Sequence, residues 1–439
     1  MESKAHILVI PFPIQGHINP MLQFSKRVAS KGPQVTLLLT TTINKSMKSE
    51  MGSIQIESIS DGYKNKKSES MDAFTERINC VVLQTLPEII KKQCIPVNLL
   101  VYDSMMPWVL DIAKGLGLKA AAFFTQSCSV CAIYYHMHKG ILKVPLEGKN
   151  ASLPAMPLLG INELPDMKLY QNLLSINISQ FSNIEGADWL LFNSFDKLEN
   201  ELVKWMASKW PIKTIGPTIP SIYLDKRLED DKDYGISLFK PNDDVCMKWL
   251  DTKPNNSVVY ISFGSLANLG EEQMEELAFG LLSSSHYFLW VVRGSEEGKI
   301  PNNFVSKISD KGLIVNWCPQ LKVLAHGAVG CFMTHCGWNS TLEALCSGVL
   351  MVAMPQWTDQ PTNSMFIMEV WRAGVRVKVN ESGVVTREEI GVCLKEVMEG
   401  EKRDELIRNA VKWKELAKEA VDEDGSSDKN IEDLISRLI

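Results

Sequence analysis

Between Gly330 and Ser347 the chain reads GCFMTHCGWNSTLEALCS: an apolar run that stops at a histidine, a tight turn with Gly337, and an amphipathic segment with Leu342, Leu345 and Cys346 on one side. That order predicts strand, turn, helix. Short apolar runs ended by turn residues recur at His6–Phe12, Val97–Asp103, Lys119–Phe124 and Asn256–Ser265, so the chain reads as α/β with parallel sheets. Its 439 residues, 45% hydrophobic and 22% charged, suffice for two or three cored domains.

The turn has chemical potential because a helix start carries unpaired amide donors and the positive end of the helix dipole, a seat for phosphate. Gly337 permits close backbone approach, while His335, Asn339 and Ser340 add side-chain donors. Ser340-Thr341-Leu342-Glu343 also has the S-x-x-E form of a capping box, which needs no ligand. Both readings stand on this spacing. A second polar cluster, Trp357-Thr358-Asp359-Gln360, follows the apolar run Met351–Pro355, and strand ends in open α/β sheets are where ligands bind.

The first strand is broken by Pro13–Pro20, with Asn19 placed to cap a helix and Pro20 to occupy its first position. No G-x-G-x-x-G is present there, which disfavours a dinucleotide site. His17, just past that strand, reads either as a loop residue or as a base at the sheet's carboxyl edge. Asp103 and Thr125 end the strands at Val97–Asp103 and Lys119–Phe124; each serves equally as a cap for the helix that follows it. Trp317, at the end of a strand over Gly312–Trp317, suits packing or stacking on a ligand. Cys128-x-x-Cys131 with His136 and His138 has helical spacing and reads as core, and Asp231-x-Asp233 lies in a charge run, Arg227–Lys232, expected to be solvated; no metal site is predicted.

The polar segment Ser60–Ser70 reads as a mobile loop, residues 145–185 as irregular insertions, and Ile215–Asp244 as a linker. Domains are expected at 1–235 and 245–425, with 426–439 returning to the first. A net charge of -6 and a pI near 5.8 argue against a nucleic-acid partner. The apolar run Ile7–Pro13 is too short for a signal peptide, no 18 apolar residues run together, and ten cysteines read as reduced thiols. A cytoplasmic, monomeric enzyme without a membrane span is expected.

From Trp317 to Gln360 the sequence WCPQLKVLAHGAVGCFMTHCGWNSTLEALCSGVLMVAMPQWTDQ resembles the signature box of the plant secondary-product UDP-glycosyltransferases, glycosyltransferase family 1. The resemblance extends over nearly the whole chain and implies the GT-B fold, two facing Rossmann-like domains with a C-terminal helix returning to the N-terminal one. It implies inverting, metal-independent transfer of a hexose from a UDP-sugar to a small acceptor, with no cofactor besides that donor. By the same resemblance His17 is the general base and Asp103 its partner. Thr125 reaches the sugar, Ser265 a phosphate, Trp317 stacks on uracil, and Gln320 and Glu343 lie toward base and ribose. Cys318, His335, Gly337, Trp338, Asn339 and Ser340 complete the UDP site, Asp359 and Gln360 grip the sugar, and Gln360 goes with glucose. Ile14, Met105, Met106, Gln126 and Tyr134 are the candidate acceptor wall. Leu350 departs from the pattern, standing where the family usually has Pro. Two other classes compete: an NAD-dependent oxidoreductase on a doubled Rossmann frame, and a catalytically silent small-molecule binding protein of the same fold.

Overall fold

The computed structural model describes residues 5–45, 53–62, 70–146, 148–165, 171–236 and 243–438. All of Ser60–Ser70 but its ends lies outside them. The chain forms two compact units, one of Met1–Ile161, Met167–Leu238 and Lys418–Ile439, the other of Asn162–Asp166 and Phe239–Ala417.

The first unit is built on seven strands: β1 (His6–Ile10), β2 (Gln34–Thr40), β3 (Ile54–Ile59), β4 (Leu99–Asp103), β5 (Lys119–Phe124), β6 (Trp189–Phe192) and β7 (Ile212–Thr214). They pair in the order β3-β2-β1-β4-β5-β6-β7, all parallel. β1 and β4 are buried along their whole length, as continuous apolar runs with both faces covered should be. Ile7, Val9, Leu99, Val101 and Phe123 join Phe24 of helix α1 (Gln15–Ser30) in one core. Of the later helices in this unit, α2 (Met71–Lys91) is capped by Ser70, and α3 (Cys128–His138) buries both Cys128 and Cys131.

The second unit carries six strands: β8 (Val258–Ser262), β9 (Tyr287–Val291), β10 (Gly312–Val315), β11 (Val329–Thr334), β12 (Leu350–Ala353) and β13 (Gly374–Arg376). Their order is β10-β9-β8-β11-β12-β13, again all parallel. Short α4 (Gln320–Leu324), α5 (Trp338–Ser347) and α6 (Gln360–Met365) follow β10, β11 and β12, and α7 (Arg387–Glu399) and α8 (Arg403–Val421) come later in the chain. Leu350 opens β12 and packs into this unit's core.

The last helix, α9 (Ser426–Ser436), belongs to the first unit. Ile431, Leu434 and Ile435 enter that unit's core, Asn430 donates to the Thr214 carbonyl, and Lys213 pairs with Asp433 at 2.6 Å. The returning C-terminal helix is therefore present, and it is stitched to the edge strand β7.

Two expectations fail on long-range structure. α1 starts at Gln15, with Ile14 rather than Asn19 as its N-cap, so Asn19 and Pro20 lie inside the helix. Within the charge run Arg227, Glu229, Asp230 and Lys232 are exposed as expected, but Asp231 is not solvated: it is buried, pairs with Lys26 at 2.6 Å and accepts from the Ser221 amide at 2.7 Å.

Candidate active site

A doubly wound sheet opens a crevice where neighbouring strands send their connections in opposite directions. In the first unit that point lies between β1 and β4, because the chain leaves β1 toward β2 and β3 and later continues from β4 toward β5. His17 and Asp103 stand there, one in the first turn of the helix after β1 and the other at the last position of β4. The His17 Nδ1 lies 2.7 Å from Asp103 Oδ2. Asp103 is fully buried, and its two oxygens also accept from the backbone amides of Phe12 (3.2 Å) and Met105 (3.0 Å). A carboxylate so held is an acceptor on every side, so it fixes the proton of neutral His17 on Nδ1 and leaves the lone pair on Nε2. The ring, 15% exposed, is steadied by the edge of Phe12 at 5.8 Å, and the Thr125 hydroxyl lies 3.3 Å from Nδ1.

The cap reading of Asp103 explains only its bond to Met105 N; the bonds to Phe12 and His17 tie it across to β1. Of the proposed acceptor wall, Ile14 and Met105 are partly open, and Gln126 is held by Asn177 at 2.9 Å. Met106 and Tyr134 are fully enclosed, so they can shape such a wall only from behind.

In the second unit the corresponding switch lies between β8 and β11, and the loops after those two strands carry Ser265 and His335. Gly264 and Gly337 fold tightly against the His335 ring: a Cβ on Gly264, whose φ is +71°, would fall 2.8 Å from it, and one on Gly337 2.5 Å from Nε2. His335 is partly open, but its Nδ1 is enclosed and makes no hydrogen bond of ordinary geometry among the described residues. Burial pushes the imidazole pKa down to about 4 and Arg293 acts in the same direction, so the ring is neutral at pH 7 and offers a hydrogen bond rather than a charge. Arg293 donates to the carbonyls of Ser265 and Ala267, which fixes the loop bearing Ser265.

Gly337 is the N-cap of α5, with no side-chain cap bond, and the first amide paired within the helix is Thr341 N to Gly337 O at 3.0 Å. The capping-box reading of Ser340 and Glu343 is thereby removed, since both already lie inside the helix. Gln320 takes them up instead: its Nε2 donates to Ser340 Oγ (2.9 Å) and Glu343 Oε2 (2.6 Å), while its Oε1 accepts from Tyr260 OH (2.9 Å). Ser340, accepting from Gln320, keeps its own proton to donate. Trp317 is half-buried just beyond β10. Trp338 packs at 5.9 Å against Trp371, and the Cys318 thiol lies 3.3 Å from Tyr260 OH, so both side chains are engaged within this unit.

At the sheet's next strand end, buried Gln360 accepts through Oε1 from the amides of Gln356 (2.8 Å) and Trp357 (3.1 Å), which fixes the amide with its NH2 as the donor side. Asp359 Oδ1 accepts from the Thr358 hydroxyl at 2.7 Å and its Oδ2 from Asn363 at 2.7 Å. Tyr260, Arg293 and Asn363 are the organising residues that sequence reasoning missed. Only Asn363 left a local signal, four residues after Asp359, where a helix brings side chains together.

Comparison with known proteins joins the two halves of this description. The family described as UDP-glucoronosyl and UDP-glucosyl transferase matches residues 194–418, and the family described as Glycosyltransferase, N-terminal domain matches residues 3–61. Mogroside I-E synthase of Siraitia grosvenorii is 51% identical over 100% of this chain and 99% of its own length, and UDP-glycosyltransferase 74E2 of Arabidopsis thaliana is 51% identical over 99% of both. Among solved structures, Os79 of O. sativa in complex with UDP superposes with a TM-score of 0.91 at 38% identity, covering 99% of this chain and 100% of that one; Os79 has also been crystallised in complex with U2F and trichothecene. The two parallel sheets are the Rossmann-like pair of the GT-B fold, and by likeness along its whole length the chain belongs to the plant family 1 UDP-glycosyltransferases, inverting, metal-independent enzymes that transfer glucose from UDP-glucose to small acceptors.

Proposed function

We propose that this enzyme glucosylates a hydroxyl or carboxyl group of a small apolar acceptor, a terpenoid or a phenolic, with His17 as general base. The observation that carries the assignment is the His17–Asp103 pair at 2.7 Å on the switch point of the first sheet. Nε2 of His17 removes the acceptor proton as the acceptor oxygen attacks the anomeric carbon, and the Asp103 carboxylate stabilises the imidazolium that forms. Inversion follows from a single displacement. The terpenoid class is supported by the relative named Mogroside I-E synthase, and a hydrophobic acceptor by the trichothecene complex of Os79.

On the donor side, the diphosphate sits at the N-terminus of α5, taking hydrogen bonds from Asn339, Ser340, neutral His335 and Ser265. Preorganised donors of this kind stabilise the charge that builds on the leaving UDP. Trp317 stacks on the uracil, Glu343 accepts from ribose hydroxyls, and Asp359 with the NH2 of Gln360 reads the sugar. An acceptor beside a donor matches two adjacent hydroxyls, and Gln360 favours glucose. Thr125 is assigned to the same sugar. We also propose that the enzyme works in the cytoplasm, in keeping with ten free thiols of which eight are buried, and as a monomer, for which sedimentation should give 49.2 kDa.

The decisive screen incubates the enzyme with UDP-glucose and a panel of terpenoid alcohols, phenols and carboxylic acids, reading product mass and anomeric configuration together. A β-glucoside or β-glucose ester of at least one such acceptor is expected. An α-linked product would overturn the single displacement, and transfer confined to polar sugars would overturn the acceptor class.

A further inference from the structure

The two loops that lead into the donor-assigned helix starts, His335–Gly337 after β11 and Trp357–Asp359 after β12, each contain a non-glycine residue in the left-handed region. Cys336 has φ +66° and Thr358, although β-branched, has φ +53°. Such conformations are strained and persist only where surrounding contacts hold them. One side chain reaches both loops. Asn363, fully buried in α6, donates through Nδ2 to the Cys336 carbonyl at 3.0 Å and to Asp359 Oδ2 at 2.7 Å.

A simpler reading is a helix pair: residues four apart on a first turn often bond, and such a bond would only tighten the start of α6. It accounts for the contact to Asp359. It leaves out the second hydrogen of the same amide, which goes to a loop after a different strand and to the carbonyl of a strained residue. An amide has two N–H groups, and here one goes to each loop.

We infer that Asn363 is a positioning residue for the donor sugar: it locks the Asp359 carboxylate in register with the loop that holds the diphosphate, so that the sugar hydroxyls are read at a fixed distance from the leaving group. This rests on the assignment of Asp359 to the sugar. Bond to Asn363 and bond to Thr358 occupy one site on each carboxylate oxygen and leave the carboxylate facing one way, which is how an acceptor discriminates hydroxyl positions. Asn363 lies beyond Gln360 and touches the substrate nowhere in this account; it acts through Asp359 and Cys336.

The test is a double-mutant cycle in the full-length enzyme with Asp359→Ala, Asn363→Ala and the pair, measuring kcat and KM for UDP-glucose and, separately, the Kd of UDP. Each single variant is expected to lower kcat/KM for UDP-glucose about 10- to 100-fold, the scale of a lost hydrogen bond to a charged group. UDP affinity should change by less than about threefold, and the pair should be no worse than Asp359→Ala alone, because residues acting through one another are not additive. If Asn363→Ala does not fold, Asn363→Ser runs through the same cycle, its hydroxyl being too short to reach both loops. Multiplicative effects, or an Asn363 variant that weakens UDP as much as UDP-glucose, would overturn the positioning role. Unchanged UDP-glucose kinetics in Asp359→Ala would instead remove the sugar assignment itself, and the inference with it.

Discussion

His335 shows how far one residue's chemistry departs from its sequence appearance. A histidine at a strand end invites the picture of a cation facing phosphate, yet burial holds its pKa near 4 against an ordinary 6.5. Between those two values the unfolded chain binds the proton and the native one does not, so stability rises with pH across that window and falls as pH drops from about 6.5 toward 4. Denaturant titrations at pH 7 and pH 5 should therefore show a loss on acidification that shrinks in His335→Asn. An equal loss in both proteins would mean that His335 is not buried neutral. The His17–Asp103 pair was legible in part: each residue stood out because it follows an apolar run, but each kept a plain structural reading beside the functional one. Their approach across 86 positions is what no local pattern records. Asn363 escaped for the same reason, since its bond to Cys336 spans 27 residues.

At the scale of elements, strands were read well and two helix starts, those of α1 and α5, were not. β1, β4 and β11 are buried on both faces, and their apolar runs mark them to within two residues; β7 and β13, three residues each, are too short to leave a pattern. α1 misled because Asn-Pro is a strong start signal, yet tertiary packing carries the helix back to Gln15 and leaves the Asn19 side-chain oxygen buried without a partner among the described residues. α5 misled in the same sense, since its S-x-x-E lies three residues too late to cap. Ser340→Ala separates the two roles. A lost cap would cost about 1 kcal/mol, whereas the geometry found here predicts a melting temperature close to wild type and weaker UDP binding. A clear drop in melting temperature with unchanged UDP affinity would restore the cap.

Across the whole molecule, ion pairs do more than the composition suggested. The last turns of α1 are fixed to the segment after β7: Arg27 forms a two-point bond with Asp225 at 2.8 and 3.1 Å, with 8% and 0% of the two side chains exposed, and Lys26 pairs with buried Asp231. Burial alone would raise the pKa of the Asp225 carboxyl, but the bonds from Arg27 outweigh it and hold it below the usual range. Removing one partner strands a buried charge, so Asp225→Ala should cost roughly 3–5 kcal/mol in chemical denaturation. A change under about 1 kcal/mol, the size for an exposed pair, would show that water reaches this site. The same helix carries His17 in its first turn, so the fold anchors the far end of the element that presents the proposed base. The division of labour between the units, chemistry in the first and nucleotide in the second, is the central claim, and His17→Ala tests it most directly. With an alcohol or phenol acceptor at neutral pH, the variant should lose about two to four orders of magnitude in transfer rate while binding UDP as tightly as wild type; near-full transfer, or a parallel loss of UDP binding, would contradict the account.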